Sequence, residues 1–576
     1  MLSIPNKYFQ VLNIISLFVM IADFGFSYEN QYKIFVYIYF AIYLTIGIIK
    51  TGKKFVREYA NTTLAVKIFD IVSILLITFT LFQDFYNNFV FDDPSTRLIR
   101  YGVMLKIIRE ISSQNLNYKR SVLNPSQLFI FSLFTLVSVG TLLLLMPKSS
   151  VNGLSPIDAL FTATSAVSVT GLSVIPIHSE LTFIGQIIVL FLIQAGGIGV
   201  LTFASYLSYF FKGASSFENQ IAISSINEDK IGDVFNSLNQ IIGITFFIEA
   251  IGALAIFFAT PSNYFDSLFD HIYFSIFHSI SSFCNAGFSI INEELILSGF
   301  RYQYNLQLIM ACIFILGGLG FPIVVNVIRF VKHTFQRLVN RFIYKEHFTS
   351  KAWVLTFSSK INLYTTLLVT LFGFLAFYLI EYNNILRGHS EYGKIVTAFF
   401  SSSTPRTAGY DVINYSELQV STLLIVIFLM WVGASPASTG GGIKTSTLAI
   451  AFLNFINLAK GKKDIVVFNR EIGDHTVRRA FATMMLSFLM IGFGTFIISL
   501  NERNQSFLNI VFETFSAYST SGLSLGITDE LSDQSKFILI LLMFIGRVSM
   551  LTFLVSFFRQ IKHTNSKYPV EEIMIN

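Results

Sequence analysis

The groups in this chain best placed to do chemistry belong to the backbone. Four segments share one pattern: small, hydroxyl-rich residues, then a single glycine, then a large apolar residue. They are Ser165-Ala166-Val167-Ser168-Val169-Thr170-Gly171-Leu172, Ser281-Ser282-Phe283-Cys284-Asn285-Ala286-Gly287-Phe288, Ser402-Ser403-Thr404-Pro405-Arg406-Thr407-Ala408-Gly409-Tyr410 and Ser516-Ala517-Tyr518-Ser519-Thr520-Ser521-Gly522-Leu523. The glycines lie 116, 122 and 113 residues apart, a period that fits four copies of a subdomain better than a solenoid. Glycine reaches positive φ without steric cost, so it can turn neighbouring carbonyls toward a common axis. Four such loops around one axis would form a ring of oxygens able to replace a cation's hydration shell. The implied chemistry is ion coordination by carbonyls.

Three other clusters carry signals. Pro436 and the run Gly440, Gly441, Gly442 interrupt an apolar stretch, since proline lacks a backbone donor and glycines hold a helix poorly. Lys444 follows that run, but Ile443 intervenes and no strand precedes it, which removes the nucleotide P-loop reading. Arg547 sits inside the last apolar run, where an arginine costs about 2.5–3.5 kcal/mol on insertion scales and should face a polar interior. His271 and His278 share one helical face without a third metal-ligand candidate, so ordinary polar contacts are expected of them. Cys284 and Cys312 offer no disulfide framework.

The elements that must position these groups are membrane helices. Of 576 residues, 53% are hydrophobic and only 13% charged, with 63 phenylalanines, the balance of a polytopic membrane protein. Around each glycine motif stand a long apolar run, a short amphipathic run of near ten residues, the motif, and a second long run. That order reads as membrane helix, re-entrant half-helix, extended loop, membrane helix. Irregular backbone at membrane depth is tolerated only where protein buries it or it lines a water-filled path. Long helices are expected near 126–146 and 181–211, 234–259 and 304–331, 359–380 with a broken pair 418–432 and 443–458, and 479–500 and 536–559. Half-helices are expected near 156–166 and 268–281. The fold class is thus all-α, with four tandem helix–pore loop–helix repeats at 121–231, 232–345, 346–465 and 466–576, pseudo-fourfold about one pore.

The four loops, and above all Gly433-Ala434-Ser435-Pro436-Ala437-Ser438-Thr439-Gly440-Gly441-Gly442-Ile443-Lys444-Thr445, resemble the Trk/Ktr family of potassium-uptake membrane subunits over roughly residues 125–562. Together with the carbonyl reading, the resemblance implies a selectivity filter made of Val169, Thr170 and Gly171; Asn285, Ala286 and Gly287; Thr407, Ala408 and Gly409; and Thr520, Ser521 and Gly522. Cys284 stands where asparagine is common in bacterial relatives. In plant relatives a serine at the first filter glycine goes with sodium permeation. All four positions are glycine here, which favours potassium. The resemblance further implies a gate under the filter at 433–447, formed by Gly440, Gly441, Gly442 and Lys444, with Arg547 beside it. For Lys444, direct gating and structural bonding of loop carbonyls both stay open, as do an electrostatic and a packing role for Arg547. The family also implies a homodimer and a separate cytoplasmic nucleotide-binding regulatory subunit. K+ is expected as the permeant ion, with no organic cofactor, no nucleic-acid partner and no transition metal.

Charge sets the expected orientation. Arg329, Lys332, Arg337, Arg341, Lys345, Lys351 and Lys360 lie between the second and third repeats, and Lys460, Lys462, Lys463, Arg470, Arg478 and Arg479 between the third and fourth. By the positive-inside rule these connections are cytoplasmic. The glycine loops then face outward, among acids such as Asp266, Asp270, Glu381, Glu391, Glu417, Glu513 and Asp529, which would concentrate cations. A sodium- or proton-coupled symporter and, more remotely, a membrane-embedded transferase are the competing functions.

Residues 1–120 precede the repeats, with apolar runs near 8–26, 32–49 and 64–85. The first follows Lys7 but has no small-residue cleavage site after it, so a retained helix is expected. Membrane parity requires one more crossing, which only the basic segment 97–113 can supply, giving about four N-terminal helices in the lipid bilayer. Its Arg97, Arg100, Lys106 and Arg109 recur at multiples of three, and Asp70 is the expected intramembrane partner. The arrangement resembles a voltage-sensor domain, although Val103 occupies one basic position and the second helix lacks an acid. A static appendage and an interfacial helix are the other readings.

Overall fold

A computed structural model describes residues 6–26, 30–58, 71–83, 97–113, 125–199, 234–291, 300–339, 355–462 and 464–557. Asp70, the basic residues at 341–351 and the segment 200–233 lie outside the described residues, as do the side chains of Arg97 and Arg109. The described chain is almost wholly helical, and its one sheet is a hairpin of β1 (Val466–Val467) and β2 (Arg470–Glu471). Among the described residues, five helices are long and apolar enough to cross a membrane, and seven spans result if each bent pair counts once.

The N-terminal helices are α1 (Asn6–Gly25), α2 (Asn30–Glu58), α3 (Ile71–Gln83) and α4 (Arg97–Ser113). They pack around a core of their own: Phe40, Tyr43, Leu44, Ile77, Ile99, Val103 and Ile107. Val103, the gap in the basic repeat, is fully buried there. The basic side chains turn to neighbouring helices. Arg100 Nε lies 2.5 Å from the buried Asp23 of α1. Lys106 runs its stem over Gly47 and donates to Thr51 Oγ1 at 2.7 Å, both on α2. Asp23 of the first helix is thus an acid that holds Arg100, while Asp70, the partner expected from the sequence, lies outside the described residues.

Next comes α5 (Pro125–Leu144), the short helix α6 (Pro156–Ser168) and α7 (Phe183–Ile198). The same order recurs as α8 (Val234–Ala259), α9 (Leu268–Cys284) and α10 (Tyr304–Leu319), the last followed by α11 (Phe321–Val339). It recurs again as α12 (Phe357–Glu381), α13 (Glu391–Ser403), and the pair α14 (Val420–Trp431) and α15 (Thr445–Ala459). Its last form is α16 (Asp474–Asn501), α17 (Phe507–Ser519), and α18 (Asp533–Val548) with α19 (Met550–Phe557).

The broken pair expected at 418–458 is present, but it is not alone. The expected single helices 304–331 and 536–559 are each two helices, bent by 107° at Gly320 and by 86° at Ser549. Both hinge residues have positive φ, 85° and 72°, and Gly199 at the end of α7 has 89°. Helical φ is negative, so the chain cannot continue straight through such a residue. Apolar length alone gave no hint of these corners, because both arms of each bend are apolar.

The short helices start for a common reason. Ser155, Ser267, Ser390 and Ser506 are their N-caps, each side chain accepting from the backbone N–H three residues on. Their last turns run straight into the glycine motifs.

Candidate functional site

The four motifs, far apart in sequence, meet in space. A Cβ placed on Gly171 would strike the carbonyl oxygen of Ala286. On Gly287 it would meet that of Ala408, on Gly409 that of Ser521, and on Gly522 that of Thr170. The four glycines thus touch in chain order and the ring closes on itself. Each is at positive φ, 90°, 68°, 74° and 85°. A side chain at any of them would be strained and would also collide with the next segment.

Glycine is not the only left-handed position. Val169, Asn285, Thr407 and Thr520, the first residue of each triple, have φ of 58°, 59°, 74° and 50°. Left-handed backbone in β-branched residues is strained by about 1–3 kcal/mol and persists where the surroundings over-determine it. Those surroundings are a shell of hydrogen bonds. The amides of Thr170, Ala286 and Ser521 donate to Ser165, Ser281 and Ser516 at 2.8, 2.7 and 2.9 Å. Ser281 Oγ and Thr404 Oγ1 donate forward past the glycine to Phe288 O and Tyr410 O. The Asn285 amide donates to Phe314 O at 2.9 Å and accepts from Thr407 Oγ1 at 3.1 Å. Ser521 Oγ donates to Pro405 O at 2.7 Å. Hydroxyls of the motifs thus form part of the frame behind the backbone.

Electrostatically, the ring lies at the C-terminal ends of α6, α9, α13 and α17. A helix C-terminus carries roughly half a negative charge, which favours a cation. Arg406 is the cation nearest the third segment, and it turns outward to Thr370 Oγ1 at 2.8 Å and Thr366 O at 3.3 Å on α12.

The 433–447 segment packs against the ring from one side. Gly440 abuts Thr407 and Ala434, and Gly441 abuts Thr520, whose Oγ1 accepts the Gly441 amide at 2.9 Å. No side chain fits between loop and ring at these two positions. Gly442 is left-handed at 66°. Lys444 Nζ donates back to Gly440 O at 2.6 Å. Arg547 of α18 donates to Thr439 O of the loop and to Gly196 O of α7, the latter at 2.5 Å. Thr445 Oγ1 donates to Asn362 Oδ1 at 2.7 Å, fixing the start of α15 to α12. The other side of the loop rests in the α10–α11 bend, where Phe321 N donates to Ala437 O and Ser435 N to Gly318 O.

Sequence reasoning missed several contributors. Gly196, Gly317 and Gly546 each bring a second helix onto the carbonyl of a short helix's last turn, at Val167, Phe283 and Tyr518. The signal was present as the similar strings Gly196-Gly197-Ile198-Gly199, Gly317-Gly318-Leu319-Gly320 and Gly546-Arg547-Val548-Ser549. Arg547 occupies the position that is glycine in the other two. Two acids assigned to cation attraction do other work. Glu381 is fully buried and accepts from Thr422 and Asn384 at 2.5 and 2.7 Å and from the Gln419 amide. Glu513 is also buried and accepts from Ser524 Oγ, the Leu525 amide and Thr528 Oγ1. The histidines make local contacts, His278 with Phe274 O and Ser289 Oγ, and His271 stacked on Phe257 and Phe265.

Comparison with known proteins places this geometry in context. The family model for TrkH, a cation transport protein, matches residues 97–568. The chain is 33% identical over 458 residues to the Ktr system potassium uptake protein D of Bacillus subtilis, covering 79% of this chain and 97% of that protein. It is also 33% identical over 467 residues to the potassium/sodium uptake protein NtpJ of Enterococcus hirae, covering 79% and 98%. Among solved structures it superposes on the potassium transporter TrkH of Vibrio parahaemolyticus with a TM-score of 0.59 at 18% identity, over 86% of this chain and 99% of the other.

Proposed function

We propose that this chain, which belongs to the TrkH family of cation transport proteins, takes potassium into the cell through a gated path whose filter is the glycine ring. The chain is a multi-pass protein of the cytoplasmic membrane and a transporter, not an enzyme. The observation that carries the proposal is the closed contact of Gly171, Gly287, Gly409 and Gly522, each against the carbonyl preceding the next glycine. Left-handed residues at the first and third places of every triple swing successive peptide planes to one side. The oxygens of Val169, Thr170 and Gly171 and their counterparts then line one axis and replace water around a dehydrated ion.

Residues 121–231, 232–345, 346–465 and 466–576 are the four repeats of this pseudo-fourfold pore, and 1–120 is an appended membrane bundle. The potassium assignment follows the names of the relatives and the four unsubstituted glycines. The 433–447 loop is the gate. Gly440 and Gly441 seal it against the first filter residues, while Lys444 and Arg547 neutralise its carbonyls and set a positive barrier under the ring. Orientation follows the basic connections: filter outward, gate inward. A homodimer served by a cytoplasmic nucleotide-binding subunit is the assembly we propose, in keeping with relatives named as proteins of a Ktr system.

Rubidium uptake into proteoliposomes, with sodium as competitor, tests the filter. Gly171→Ser, strained at φ 90° and pressed onto Ala286, should lower rubidium-over-sodium preference by about tenfold, the equivalent of 1.4 kcal/mol. An unchanged ratio in well-folded protein takes the ring out of the ion path. Repeating the uptake with and without an imposed proton gradient separates a channel from a coupled symporter.

A further inference from the structure

We infer that Glu249 is a positioning residue for the gate: it fixes the end of α7 on which the Arg547 clasp closes. The inference rests on the gate reading above. Glu249 lies in the middle of α8, in a membrane-spanning stretch, and is only 5% exposed. Ionisable groups in such segments are costly and are kept where they act. Its two carboxylate oxygens both accept from Gln194 Nε2, at 3.0 and 3.2 Å. It has no ion pair among the described residues. A buried carboxyl group with a neutral amide as its side-chain partner is a costly way to hold two helices together, and packing alone does not require it.

What Gln194 does next gives the carboxylate its purpose. Its Oε1 accepts from Cys284 Sγ at 3.8 Å, and Cys284 is the residue directly before the left-handed Asn285. Two and three residues further along α7, Gly196 seats on Val167 O and Gly197 on the Cys284 sulfur. Gly196 is also the residue whose carbonyl Arg547 uses while it holds Thr439 of the loop. Ser279 Oγ, on α9, donates to Glu249 O at 2.6 Å, so the same residue ties the second short helix to α8. Rotating or sliding the last turn of α7 would withdraw the Gly196 carbonyl from Arg547. Glu249, acting through Gln194, sets that rotation, and the clasp on the loop depends on it.

The test is basal rubidium flux through the full-length protein in proteoliposomes, for the parent, Glu249→Ala, Arg547→Gln and the double variant. Arg547→Gln should raise flux by about fivefold, the low end of ordinary coupling between sites. Glu249→Ala should raise it in the same direction, and the double variant should pass no more ion than Arg547→Gln alone, because both act on one clasp. A purely architectural role predicts that the two effects multiply, and multiplication overturns the inference. So does an unchanged flux in well-folded Glu249→Ala beside an open Arg547→Gln. If Arg547→Gln itself leaves flux unchanged, the gate reading falls and takes this inference with it. Should Glu249→Ala not insert, Glu249→Gln keeps the volume and one acceptor oxygen. It should still raise flux, and no rise is the overturning result.

Discussion

Glu513 shows how far a residue's environment can depart from its place in the sequence. It sits among other acids in a segment expected to face outward, yet it lies inside α17 and organises the loop beyond Gly522. Its carboxylate gathers Ser524 Oγ at 2.5 Å, Thr528 Oγ1 at 3.1 Å and the Leu525 amide at 3.2 Å. Removing the acceptor leaves the half-buried Leu525 amide without this partner and the Ser524 and Thr528 hydroxyls with only each other, where an unsatisfied buried donor costs about 1–3 kcal/mol. Glu513→Ala should therefore lower the thermal midpoint of the detergent-solubilised protein and broaden its ion selectivity as the loop loosens. A midpoint equal to the parent's would mean water replaces the carboxylate. Glu391 behaves differently. Its hydrogen bond to Lys394 at 2.8 Å holds the carboxyl below its usual range, and it remains at the surface. Acids of both kinds occur on the short helices that lead into the glycine motifs, and burial separates them.

Helix α4 raises the same issue for an element. Its basic residues were legible, and so was their period. The partners were not, because a helix in a bundle can meet any of three neighbours. Arg100 meets Asp23 on α1 and Lys106 meets Thr51 on α2, with fully buried Val103 between them. Two cations held on either side of an apolar collar are the arrangement a membrane field can act on. One charge crossing the full field gains about 2.3 kcal/mol per 100 mV. Neutralising Arg100 and Lys106 together should flatten any dependence of rubidium flux on an imposed potential, and Asp23→Asn should shift it. Identical flux–voltage curves in all three would leave α4 a fixed strut. The end of α1 reaches the first repeat: Gly25 O accepts from the Lys148 amide at 3.1 Å, ahead of α6.

On the scale of the whole molecule, the curated relatives match only part of this chain, while the family model begins at residue 97 and so takes in α4. The Bacillus subtilis and Enterococcus hirae proteins are matched over almost their full length by 79% of this chain. The N-terminal helices pack around their own core, separate from the clusters that surround the short helices. A protein lacking residues 1–120 should accordingly insert and take up rubidium with the parent's sodium competition, and lose only whatever the potential contributes. Loss of uptake in a truncated protein that still inserts would show that the bundle supports α5 and α6 directly.

The sequence by itself determined the helical membrane class, the fourfold repeat of half-helix and glycine, and the broken helix at 433–447. These are written in local chemistry: apolar length, and glycine or proline at places that forbid a regular helix. It also named Gly171, Gly287, Gly409 and Gly522, since an isolated glycine after a short helix marks a turn that positive φ makes and a side chain would obstruct. Tertiary structure alone decided how these pieces meet. It set the bends at Gly320 and Ser549, which rest on positive φ in stretches apolar on both sides. It placed left-handed backbone at Val169, Thr407 and Thr520, which no propensity favours and only the hydroxyl shell of the neighbouring segments enforces. It also chose the partners of Arg100, Arg547 and Glu249. A buried polar or charged group must find hydrogen-bond partners, but which of several helices supplies them depends on packing between segments from 55 to 351 residues apart, and no local rule contains that distance.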